Sequence, residues 1–90
     1  MNFNSIIDIE QRLNELPNFP LKLIARNVGV ARFYVMRNDE LRIAILAIAK
    51  GEVLPLPYHK RHIKQPTLMF NQDLVDAVLT FSETNLNKTP

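Results

Sequence analysis

The sequence predicts an all-α fold: a small four-helix domain built on a helix, an extended connector and a second helix, clasped by one further helix at either side. Three observations carry this expectation. Apolar residues recur at spacings of three and four in four separate stretches, cap and stop residues bracket those stretches, and the third stretch, residues 36–51, is apolar around most of its circumference. A helix of that last kind needs cover on more than one side, so the other three are read as its cover.

The first helix is capped by Asn4 or Ser5. Ile6, Ile9, Leu13 and Leu16 form its stripe, Asp8 and Glu10 sit near its start, and Pro17 ends it. Asp8, Gln11, Arg12 and Glu15 face elsewhere, which makes it an amphipathic lid. Pro20 suits the first position of a second helix, where its missing N–H needs no partner. Leu21, Ile24, Ala25 and Val28 are its buried stripe, Lys22 and Arg26 lie on the opposite face, and Gly29 is placed to end it in a left-handed conformation. Residues 30–35 are too short for a helix and rich in β-branched and aromatic side chains, so they read as an extended connector. Phe33 with Val35, or Tyr34 with Met36, would share a side and plug the space between helices; Tyr34 is assigned to the core.

In the third helix Asn38 or Asp39 is the expected cap, Asp39 and Glu40 suit the positive end of the helix dipole, and Lys50 and Gly51 suit the other end. Leu41, Ala44, Ile45 and Ile48 share its main stripe, while Ile43, Leu46 and Ala47 lie off it. Pro55 and Pro57 forbid a continuing helix and make residues 53–58, ending at Tyr58, an apolar strap. A compact basic cluster, His59, Lys60, Arg61, His62 and Lys64, follows. Asn71 caps a last helix from Gln72 to about Phe81, with Leu74, Val75, Val78 and Leu79 as its stripe. The domain is therefore expected over residues 1–83, its core over 20–50, and residues 84–90 as a polar, disordered tail.

Leu21, Ile24, Ala25, Gly29 and Val30, then after the connector Met36, Arg37, Glu40, Leu41, Ala44, Ile45 and Leu46, keep an order and spacing that resembles the helix–extended loop–helix unit of the Rho termination factor N-terminal domain and the related SAP-type modules. The resemblance spans about thirty of the ninety residues. Where many members carry a second basic residue after the position of Arg37, this chain has Asn38. The resemblance implies binding of DNA or RNA, or service as a helical adaptor beside a nucleic-acid-binding domain.

Composition narrows the function independently. Apolar residues at 47% and charged residues at 22% are ordinary for a globular protein, and ninety residues bury a modest core. There is no cysteine, so no disulfide framework or thiolate chemistry. The longest apolar run, residues 43–49, is far too short to span a bilayer, and the first residues lack the pattern of a secretory leader, so a cytoplasmic protein without a membrane partner is expected. Two serines, Ser5 and Ser82, and two distant glycines, Gly29 and Gly51, support neither a nucleophilic triad nor a phosphate loop. His59 and His62, beside three cations and without a third ligand, make a poor metal site. No catalysis, cofactor or metal is expected.

The net charge is +2, but its placement is uneven. Lys22, Arg26, Arg32, Arg37, Arg42, Lys50, Lys60, Arg61 and Lys64 face only Asp39, Glu40 and Glu52 within residues 22–64, while both flanks are acidic. Such a block is an electrostatic footprint for a polyanion, or a solvated surface neutralised by the flanks. On the first reading Arg26, Arg32, Arg37, Arg42, Lys60, Arg61 and Lys64 contact phosphates of DNA or RNA, with Tyr34 or Tyr58 to stack on a base or fill the core, the core being preferred for Tyr34 and Tyr58 left open. The alternative is a protein–protein module, a homodimer or part of a larger assembly such as a phage or host complex, joined through the apolar third helix and the 53–58 strap.

Overall fold

Leu41, Ile45 and Ile48 repeat at spacings of four and three and lose all or nearly all contact with solvent, so the helix that carries them is the axis of the fold. The computed structural model describes residues 3–57 and 71–87. Among them are α1 (Ile6–Asn14), α2 (Asn18–Val28), α3 (Asn38–Ala49) and α4 (Gln72–Asn87), with one 3-10 turn (Phe33–Val35) and no strand. The expected all-α, four-helix architecture is the one observed.

Helix α3 packs against α1, α2 and α4. Leu46 and Ala49 are buried together with its main stripe, which is the many-sided cover its composition demanded. Ile43 is the exception, 67% exposed. Ile9 and Leu13 from α1, Leu21, Ile24 and Val28 from α2, and Leu74 and Val78 from α4 complete one continuous core. Each such side chain contributes about 1.5–3 kcal/mol relative to leaving it in water.

The helix ends differ from expectation in instructive ways. Helix α2 starts at Asn18 with Pro17 as its cap residue, so Pro20 is its third residue rather than its first. The first intrahelical donor is Leu21 N–H, to Pro17 O at 3.3 Å, and the earlier N–H groups need no helical partner; proline is as harmless at the third position as at the first. The α3 cap is Arg37, not Asn38 or Asp39. Glu40 accepts the Arg37 backbone N–H at 3.0 Å, while Asn38 Oδ1 is taken by Asn18 Nδ2 at 2.6 Å, tying the first turns of α2 and α3 together. At the far end of α2, Gly29 has φ 96° and both Gly29 and Val30 N–H groups converge on Ala25 O, the left-handed stop its sequence announced.

The connector is not extended. Val35 N–H donates to Arg32 O and Met36 N–H to Phe33 O, closing a 3-10 turn that buries Phe33. Tyr34 and Val35 then point outward, 65% and 69% exposed, so the assignment of Tyr34 to the core is corrected. A turn with three residues per cycle sends one of its three side chains inward and releases the next two.

Helix α4 also runs beyond the expected Phe81, and residues 84–87, expected to be disordered, are its last turn. Asn85 Nδ2 donates to Ala49 O at 2.8 Å, so a polar residue anchors that turn by satisfying a free carbonyl at the end of α3. Gly51 makes the approach possible: it has φ 77°, and a Cβ there would lie 3.0 Å from Asn85 Cβ. The strap after it is pinned to α2 by Leu56 N–H donating to Gly29 O at 2.8 Å. Tyr58, the basic cluster and residues 88–90 lie outside the described residues.

Candidate nucleic-acid interface

The arginines of the basic block have separate fates. Arg42 leaves α3 half-buried, its Nε donating to Leu13 O at 3.1 Å and its Nη2 to Leu16 O at 3.3 Å. It thus satisfies carbonyls at the C-terminal end of α1, where a positive charge also suits the helix dipole. This corrects its expected place on a phosphate-binding surface: its donors serve the fold. Arg12 is likewise engaged, 5.3 Å above the Phe3 ring and 3.7 Å from Asp73 of α4.

The other three predicted arginines gather where α2 turns into α3. Arg26, in the last turn of α2, holds its guanidinium 5.3 Å from the Phe33 ring. Its Nε is buried with no hydrogen-bond partner among the described residues. Arg32 immediately precedes the 3-10 turn and Arg37 follows it by two residues, and both are exposed. Arg12–Asp73 is the ion pair found among the described residues, so none of these three guanidinium groups is in one there. Asp39 and Glu40 lie in the first turn of α3 next to Arg37, and Glu40 is held by the Arg37 backbone N–H. Lys22 and Lys50 belong to other parts of α2 and the end of α3. Tyr58, Lys60, Arg61 and Lys64 lie outside the described residues.

Arg32 stands at φ 59°, ψ 28°, the left-handed region, and is the non-glycine residue with positive φ among the described residues. A side chain of this kind costs roughly 1–2 kcal/mol there, where glycine or asparagine is at ease. The fold tolerates the arginine; the backbone does not ask for it.

Between Arg32 and Arg37 stands Tyr34, for which the sequence favoured a core role over stacking on a base, and which is exposed. Its ring meets the buried Phe33 ring edge to face, centroids 5.6 Å apart at 84°. Phe33 therefore braces Tyr34 on one side while carrying the Arg26 guanidinium. Neither glycine nor asparagine marks the left-handed residue that starts this turn, so nothing local distinguished turn from strand.

Beside the corner lies an apolar cleft of about 170 Å³, walled by Met36, Ala44 and Ile48 and by Val53, Leu54 and Leu56 of the strap. Val53 and Leu54 are 52% and 74% exposed. Among the described residues no group of three or more metal-ligating side chains comes together, and no helix is long and apolar enough to cross a membrane. The chain matches no family model, no curated protein and no solved structure, so a functional reading rests on its own residues.

Proposed function

We propose that this is a cytoplasmic, non-enzymatic nucleic-acid-binding or regulatory protein that contacts phosphates through the corner between α2 and α3. The observation that carries the reading is the grouping of Arg26, Arg32 and Arg37 around one turn with no carboxylate partner among the described residues. Guanidinium groups that are not held in an ion pair attract phosphate at a surface, and arginine matches phosphate geometry with paired donors. The strained backbone at Arg32 supports it, since strain of this kind collects where a side chain is used. The resemblance of residues 20–50 to Rho N-terminal and SAP-type modules points the same way. In sequence, Lys60, Arg61 and Lys64 extend the positive block.

The test is fluorescence anisotropy of labelled DNA and RNA at two salt concentrations, with the parent and an Arg32→Gly, Arg37→Ala double variant. Binding is expected to weaken steeply with salt, and the variant is expected to shed about 0.7–0.9 from the log–log salt slope for each phosphate contact it loses. Absence of binding at low salt overturns the reading. A second reading, a protein partner or second copy docked on the strap, is favoured by one observation: the exposed Val53 and Leu54 beside the apolar cleft. The central helix contributes little to it, because apart from Ile43 its large apolar side chains are already covered.

A further inference from the structure

We propose that Tyr34 is a base-stacking platform and that the ligand of the α2–α3 corner is a single strand, unpaired DNA or RNA, in preference to a duplex. This rests on the phosphate-binding reading above and names the substrate class of the same site.

Tyr34 is 65% exposed, yet it is not a loose side chain. The 3-10 turn fixes its backbone through the Val35 and Met36 N–H groups, and the buried Phe33 ring meets it at 5.6 Å. Phe33 is held in turn between the core and the Arg26 guanidinium. The chain thus presents an aromatic ring, already oriented, between two exposed arginines two residues before it and three after it. Aromatic rings flanked by cations are the elements that grip single strands: the cations hold the backbone and the ring takes a base. In a duplex the base faces are already occupied by neighbouring bases, so a ring standing on a surface corner reaches only unpaired ones. Nor does a duplex need the ring, since phosphate contacts alone position a protein on it. Val35, 69% exposed beside Tyr34, adds apolar surface that a base edge or sugar can cover.

The experiment compares four labelled probes of equal length by anisotropy: oligo(dT), oligo(U), a DNA duplex, and an abasic deoxyribose-phosphate strand that keeps the charge but carries no base. The proteins are the parent, Tyr34→Ala and Tyr34→Phe, each first shown by thermal melting to fold. We expect oligo(dT) or oligo(U) to bind more tightly than the duplex. Tyr34→Ala is expected to weaken those two at least about fivefold while leaving the abasic strand unchanged, and Tyr34→Phe, which keeps the ring, to bind as the parent does. Duplex bound as tightly as the single strands, or Tyr34→Ala without effect on them, overturns the single-strand proposal and leaves phosphate binding intact. No salt-sensitive binding of any probe, the abasic strand included, overturns both and turns attention to a protein partner.

Discussion

The flank of α3 that meets α1 and the corner that leads into α3 are built from the same residue type and differ in what surrounds it. On the flank, Arg42 reaches two carbonyl oxygens where α1 ends, that of Leu13, which also accepts the Leu16 N–H, and that of Leu16. At the corner, Arg32 and Arg37 reach no acceptor within the described chain, and Arg26 rests on an aromatic face. The distinction lies in the company of each arginine: on the flank two helix-end carbonyls lie within reach of the guanidinium and draw it inward, and at the corner no such acceptor holds Arg32 or Arg37 among the described residues. Positive charge at the flank serves cohesion and at the corner is available to a ligand.

That contrast makes substitutions separable by what they damage. The largest effect belongs to the covered side of α3: Leu46, only 8% exposed, is expected to unfold the chain when changed to aspartate, because a lone carboxylate would enter the core. A Leu46→Asp protein with a cooperative thermal transition close to the parent's would show that this side of α3 is not core. Next comes Arg42→Ala, expected to lower stability by about 1.5–3 kcal/mol in urea denaturation, through the loss of charged hydrogen bonds to two carbonyls. Below its melting temperature the variant should bind oligonucleotides like the parent; a loss of affinity with unchanged stability would place Arg42 on the ligand side of the comparison. The smallest shift is expected at Arg32→Gly. Relief of the left-handed strain, roughly 1–2 kcal/mol, is partly offset by the greater freedom of glycine in the unfolded chain. Its thermal midpoint should therefore be equal to or above the parent's while its affinity for nucleic acid falls, and a clear drop in the midpoint would mean that the Arg32 side chain holds the turn together.

The helices themselves were legible because their stripes repeat: Ile9 and Leu13, Ile24 and Val28, Ile45 and Ile48, Leu74 and Val78 are all core. Their ends were less so, because a cap is a competition among neighbours. Asn38 looked like a cap, but its oxygen went to Asn18, twenty residues away, and Glu40 took the backbone N–H of Arg37. The last turn of α4 carried too little apolar signal to be read as helix, since what fastens it is one amide reaching Ala49. For the candidate site, the excess of arginine over acid between residues 22 and 64 was visible as composition. What could not be seen was which arginines would find carbonyls and which would not, or that Tyr34 would face out, because both follow from a turn whose left-handed residue is an arginine.

The link from Asn85 to Ala49 spans thirty-six residues and therefore has a temporal side. A chain made at about 5–20 residues per second takes a few seconds to travel from Ala49 to Asn85. Through that interval α1, α2 and α3 are all synthesised, but the carbonyl end of α3 still lacks this partner and the flank that α4 will cover is open. Order of synthesis thus makes α4 the last cover to be laid on α3, and the side of α3 that it seals cannot be closed from within the chain before Asn85 is made.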